Sequence, residues 1–172
     1  MQDFVHLHVH TQYSLLDGQA SVARLVDKAM KNGMKGIAVT DHGNMFGIKE
    51  FTNYVNKKNS GPKGEVKDLK KRIAGIEAGT IECEDKEAEI AACKAQIVEA
   101  ENKLFKPIIG CEMYVARRTM DLKEGKPDQS GYHLIVLAKN ETGYHNLIKL
   151  VSHAWTRGYY MRPRTDRSEL EK

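Results

Sequence analysis

Apolar and polar residues alternate along Phe4 to Val9, the period-two pattern of a strand with one buried face. The period then changes. Val22, Leu25, Val26 and Ala29 recur at helical spacing, behind Ser21 as an N-cap and ahead of Gly33 as a stop, which predicts a helix over 22–31. A short apolar run from Gly36 to Thr40 predicts a buried strand, and Gly47 to Lys57 a second helix. Pro107 to Ala116 and Tyr132 to Ala138 read as two further strands, followed by a helix from Gly143 to Thr156 with Leu147, Ile148 and Val151 inward. Such alternation predicts an α/β fold built on a parallel sheet.

Residues 58–104 break the rhythm. Val66, Leu69, Ile73 and Ile76 follow 3-4 spacing, as do Ile90, Cys93, Ile97, Ala100 and Leu104, with residues 79–85 able to turn the chain between them. This predicts an antiparallel helical hairpin inserted into the α/β scaffold. It carries nine Lys or Arg against ten Asp or Glu, so the surplus positive charge lies on the scaffold. Long insertions add little loop-closure entropy, which favours a tolerated surface insertion over a partner-binding arm. At roughly 30 residues per βα unit the rest of the chain supplies about four units, whereas a closed eightfold barrel needs about 250 residues. The chain is therefore expected to be truncated at its C-terminal side. The open sheet edge of such a fragment is expected to promote self-association.

Composition narrows the class without deciding it. The 172 residues are 41% hydrophobic and 29% charged, as in globular proteins, and the formal net charge of +4 permits a nucleic-acid partner without demanding one. There is no run of about 18 apolar residues, and Asp3, His6, His8 and His10 interrupt any signal sequence, so a cytoplasmic location and no membrane contact are expected. Cys83, Cys93 and Cys111 are too few and too scattered for a disulfide framework or a zinc ribbon.

The chemistry sits at strand ends. Period two places His6, His8 and His10 on one side of the first strand, where two imidazoles about 6 to 7 Å apart can grip one metal ion; hydrogen-bonded structural histidines are the alternative. Thr40-Asp41-His42-Gly43 ends the next strand, on the edge where α/β proteins collect functional groups. His42 is read as a ligand, and Asp41 either as a carboxylate orienting it or as a cap for the loop. Glu112 lies within an apolar strand, where its charge needs a cation, either a metal or a Lys or Arg. Asp17 lies in a turn-like Leu-Leu-Asp-Gly, and His133 opens the last strand. Cys111 alternates to the opposite face from Glu112, and His145 and His153 occupy a helix surface. The candidate ligands are thus His8, His10, Asp17, His42, Glu112 and His133. Such a thiolate-free set suits Zn, Mn or Fe, and six ligands exceed what one catalytic zinc uses. Two neighbouring ions would suit phosphoester hydrolysis.

These segments resemble a known family. FVHLHVHTQYSLLDG, TDHGNMFG, KPIIGCEMYVA and HLIVLAKNETGYHNLIKLVS are together similar to the N-terminal polymerase-and-histidinol-phosphatase (PHP) domain of the bacterial C-family replicative polymerases, the DNA polymerase III alpha subunits. The resemblance covers nearly the whole chain apart from 58–104. It implies part of a distorted (β/α)7 TIM-like barrel whose C-terminal rim holds two or three divalent ions, Zn or Mn, in a nine-ligand pattern. The six residues above match the first six positions, and the last three, including an Asp-x-His pair, are expected beyond residue 172.

The resemblance further implies DNA replication as the setting. DNA-directed DNA polymerase (nucleotidyltransferase) activity would belong to the parent protein, with a metal-dependent 3′-5′ exonuclease or phosphoesterase site in this domain. DNA, a sliding clamp and a proofreading subunit are the implied partners. A catalytically silent docking module and a free-standing PHP phosphatase are the alternatives. The basic, aromatic stretch Arg157-Gly-Tyr-Tyr-Met-Arg-Pro-Arg is read as covering a barrel surface in preference to touching a DNA backbone.

Overall fold

A computed structural model describes residues 4–129 and 131–172. The chain divides into two compact units, one formed by residues up to 52 together with 107–172, the other by residues 53–106. Among the described residues no helix is long and apolar enough to cross a membrane.

The first unit is an open α/β sheet. Helix α1 (Val22–Lys31) is capped by the Ser21 hydroxyl and buries Val22, Val26 and Ala29, as the apolar spacing requires. It leads into β1 (Gly36–Val39), buried along its whole length, and then into α2 (Ile48–Lys58). The centre of the sheet is β2 (Lys106–Ala116), flanked by β1, by β3 (Gly131–Leu137) and by the short β4 (Arg164–Thr165). Alternation along β2 sends Cys111 and Met113 into a core with Leu147, Val151 and Ala154 of α6 (Glu141–Thr156). Ile148, predicted to face inward, is 37% exposed, and the buried face of the helix runs instead through Leu147, Val151 and Ala154.

Two expectations need correction. The sheet is not all parallel: β2 pairs with β4 in parallel but with β3 antiparallel, Glu112 lying opposite Ile135 and Tyr114 opposite His133. The reason is the connection. A parallel crossover normally needs a helix to carry the chain back across the sheet, whereas among the described residues between β2 and β3 the only helix is the one-turn α5 (Lys126–Gln129). The expected strand at Phe4 to Val9 does not form a regular ladder either. Only His6 and Val9 offer their carbonyls to β1, accepting from the Ala38 and Thr40 amides, with a bend between them. Among the described residues the sheet is open and does not close into a barrel.

In the second unit, α3 (Ser60–Glu77) and α4 (Lys86–Asn102) form a helical pair. Gly79, with φ of +73°, turns the chain after α3, and Asp85 caps α4 through the Ala88 amide. Ile76, Cys93 and Ala100 are buried. Arg72 donates to Glu89 at 2.7 and 3.0 Å, an exposed pair of small energetic value. At the neck, the Asn59 side chain donates to the Phe105 carbonyl (2.8 Å) and accepts from the Phe105 amide (2.9 Å).

The remaining strand is locked by a buried cation. Arg164 is 1% exposed, and its guanidinium donates to the carbonyls of Gly158, Asp128, Met120 and Leu122 at 2.8 to 3.0 Å. Next to it Asp166 caps the short α7 (Arg167–Leu170) through the Glu169 amide and accepts from the Met120 amide.

Candidate metal centre

Glu112 is the floor of the site. On β2 it faces away from Cys111, and it is 3% exposed. Its neighbours follow from the register. His133 lies on the adjacent strand opposite Tyr114, so its side chain emerges on the same face, and His42 bridges Glu112 in parallel just beyond β1. The result is one buried carboxylate ringed by imidazoles. His8 Nε2 and His10 Nε2 lie 2.5 and 2.6 Å from Glu112 Oε2, and His133 Nδ1 contacts Oε1. On the outer side Asp17 Oδ2 is 2.8 Å from His42 Nε2 and 3.4 Å from His10 Nδ1.

All six residues singled out in the sequence therefore meet. Their donor atoms form three overlapping groups, His8-His10-Glu112, His10-Asp17-His42 and His42-Glu112-His133. His6, on the same side as His8 and His10 by period two, is not in them; it lies edge-on to Phe4 instead, because the expected strand is bent. Cys111 is fully buried on the opposite face of β2, in the core with Met113 and Leu147 and outside the three groups, and burial there pushes its thiol up to about 12. His153 pairs with Glu169, away from the cluster.

The donor set fits divalent ions. The Nδ1 atom of His42 is buried with no hydrogen-bond partner among the described residues, 3.6 Å from Glu112 Oε1. Two atoms ligating one tetrahedral zinc at about 2.0 to 2.1 Å stand about 3.3 Å apart. The spacings of 3.6, 3.4 and 3.2 Å at His42–Glu112, His10–Asp17 and His8–His10 are of that size.

The shell behind the ligands is as ordered as the ligands. Asp41 does not reach an imidazole among the described residues. Its buried carboxylate accepts from the Thr11 amide (2.7 Å), the Thr11 hydroxyl (2.8 Å) and the Ser14 hydroxyl (2.7 Å), and Ser14 Oγ in turn accepts from the His42 amide (3.2 Å). Asp41 thus fixes the loop that runs from His10 to Asp17. Within that loop Gly18 passes so close to Thr11 that an added Cβ would stand 1.8 Å from the Thr11 carbonyl oxygen, so only glycine lets Asp17 turn back toward His42.

Sequence reasoning missed Thr11, Ser14 and Tyr114. The period-two argument that set Glu112 on the site face applies equally to Tyr114, whose ring stacks on His42 (5.8 Å between centroids) and meets His133 edge-on (4.9 Å).

The electrostatics give a pH prediction. Burial raises the Glu112 carboxyl, but hydrogen bonds from His133, His10 and His8 outweigh it and bring the group from 4.5 to about 2. A depressed folded value means that this stabilisation is complete above about 4.5 and disappears as pH falls toward 2. Denaturant titrations in chelator should show stability falling across that window, and the Glu112→Gln variant should lack this component. An identical acid limb in both proteins would contradict it.

Comparison with known proteins decides the family. Residues 6–97 and 90–172 match the PHP domain. The chain belongs to the PHP domain family. It is 41% identical to the DNA polymerase III subunit alpha of Borreliella burgdorferi over 98% of this chain and 11% of that protein. The corresponding subunit of Treponema pallidum is 40% identical, covering 95% of this chain and 10% of that protein. That of Thermus aquaticus is 36% identical, covering 98% and 10%. This PHP chain spans about a tenth of the length of the curated relatives it matches.

Proposed function

We propose that this chain is the PHP region of a replicative polymerase alpha subunit and that its six clustered ligands form a divalent-metal phosphoesterase centre, acting on the 3′ end of DNA. The observation that carries this reading is the buried Glu112 carboxylate surrounded by His8, His10, His42 and His133, with His42 Nδ1 otherwise unpartnered. In this reading His8, His10 and Glu112 hold one ion, and His42, Glu112 and His133, with His10 and Asp17 alongside, hold a second. Divalent cations supply Lewis acidity and a nucleophile at neutral pH. The protein's own part is to fix the donors: Asp41, through Thr11 and Ser14, holds the loop and the His42 backbone so that binding needs little reorganisation.

DNA synthesis, the sliding clamp, the proofreading subunit and a cytoplasmic setting belong to this proposal through the relatives, which are polymerase subunits. The same relatives favour a polymerase domain over a free-standing phosphatase. The test is metal analysis of the full-length protein after dialysis, with Mn or Zn added back. At least two ions per chain are expected, together with metal-dependent release of nucleotides from a labelled 3′ end. No retained Zn or Mn, combined with nuclease activity unchanged in His10→Ala, would sink the reading and leave a docking role.

A further inference from the structure

Beside the candidate ligands lies a row of aromatic rings that the fold leaves partly exposed. Phe46, Trp155 and Tyr159 are 67%, 43% and 48% exposed, yet they are arranged in order. Trp155 stacks on Tyr159 with centroids 5.6 Å apart at 20°, and Phe46 lies 6.4 Å from Trp155. The row is fixed and not merely exposed, because Trp155 Nε1 donates to the Gly43 carbonyl at 2.8 Å. Gly43 directly follows His42, so the row begins one residue from the candidate ligands.

A positive charge stands near the same junction. The Arg162 guanidinium lies 4.9 Å over the Tyr114 ring, which itself stacks on His42. No carboxylate pairs with Arg162 among the described residues, whereas Arg157, close by in sequence, is tied to Asp121 and Glu169. The segment bearing Arg162 is a tight turn. Met161 holds φ of +63°, a conformation unusual for a residue with a side chain, and the Tyr160 amide bonds the Arg162 carbonyl across it. Pro163 packs against Gly43, where an added Cβ would stand 2.6 Å from its ring, and Arg164 is anchored by four carbonyls.

We propose that Phe46, Trp155 and Tyr159, with Arg162, form a binding track for single-stranded nucleic acid leading into the metal centre. Flat exposed rings accept any base by stacking, and a guanidinium that rests on Tyr114 with no carboxylate partner among the described residues suits the sugar-phosphate backbone, the combination used for single strands without sequence preference. A small phosphate monoester would have no use for this row. The proposal rests on the phosphoesterase reading only for its direction, since the strand is placed with its end at Glu112 and its bases along the rings.

The test is photocrosslinking of the full-length protein in EDTA to a short oligothymidylate carrying 5-iododeoxyuridine, with the attachment site mapped by peptide mass spectrometry. Attachment to Trp155, Tyr159 or Phe46 is expected, reduced about tenfold in Tyr159→Ser and in Arg162→Gln. Both of these side chains are exposed, and a melt of each variant shows whether the fold is kept. Crosslinks confined to other parts of the protein overturn the proposal. So does protection of the three rings by another protein segment, which would make the row a protein-docking surface. EDTA removes any ion, so this result is independent of the metal centre. Ion counting without crosslinking, or crosslinking without ions, separates failure of one proposal from failure of the other.

Discussion

Glu112→Gln is expected to weaken divalent-ion binding by on the order of a hundredfold or more while keeping the fold. Glu112 contributes to two of the three ligand groups, so one substitution removes the anion shared by neighbouring sites. Glutamine preserves shape but replaces one acceptor oxygen by an NH2 that points donors at imidazoles. The charge-assisted bonds from His8, His10 and His133 become neutral ones at best. In chelator this should lower stability by about 1–3 kcal/mol at neutral pH, since one buried partner is lost while the rim imidazoles can still reach water. Titration calorimetry with Mn and Zn reads the affinity. Thermal melting supplies a second measure, because ligand at a hundred times Kd stabilises the native state by about 2.7 kcal/mol and the variant should lose that increment. Wild-type affinity in the variant would show that the carboxylate is structural and the ions, if bound, sit elsewhere.

The largest stability loss is expected at Arg164, well away from the ligands. Arg164→Met should destabilise the protein by about 3–5 kcal/mol, lowering the melting temperature by about 10 °C. Methionine fills much of the volume but leaves the carbonyls of Gly158, Asp128, Met120 and Leu122 with no donor. Burial holds the Arg164 pKa below its ordinary value, and the group nevertheless remains a cation at neutral pH. Arg164→Lys should recover little, because a single ammonium cannot span four carbonyls that a planar fork reaches at once. Urea unfolding of the three proteins decides it. A lysine variant as stable as wild type would show that charge, and not the fork, is what the site requires.

How much of this was legible in the sequence depends on whether the signal was local. Glu112 was readable because a carboxylate inside Pro107 to Ala116 contradicts its surroundings, and the alternation that turned it from Cys111 holds in the structure. The helix at 22–31 was legible through its Ser21 cap, whereas the last helix was read by apolar spacing from Gly143 and in fact begins at Glu141, behind an Asn140 cap that the reading did not use. What escaped was relational. The direction of β3 depends on how little helix residues 117–129 contain, and hydrophobic period says nothing of strand polarity. The N-terminal segment alternates from Val5 to Val9, yet among the described residues it accepts only two backbone bonds from β1 and its end, from Ala38 and Thr40, so its histidines part company at His6. Asp41 was read through its neighbour His42, whereas its partners, Thr11 and Ser14, lie about thirty residues away in the chain. The sequence from Arg157 to Arg164 was read as surface covering, and only the fold reveals that Arg164 is buried while Arg162 stands over Tyr114.

The Asn59–Phe105 clasp has an evolutionary and practical corollary. One side-chain amide satisfies both backbone groups of Phe105, so the incoming and outgoing strands of polypeptide are buckled together before the helical pair begins. What lies beyond the buckle is free to lengthen, shorten or be exchanged, because the entropic cost of a longer excursion grows only logarithmically. Lineages are then expected to differ most between residues 60 and 104, and a fluorescent reporter grafted at the exposed turn after Gly79 should ride on the protein without disturbing the rest.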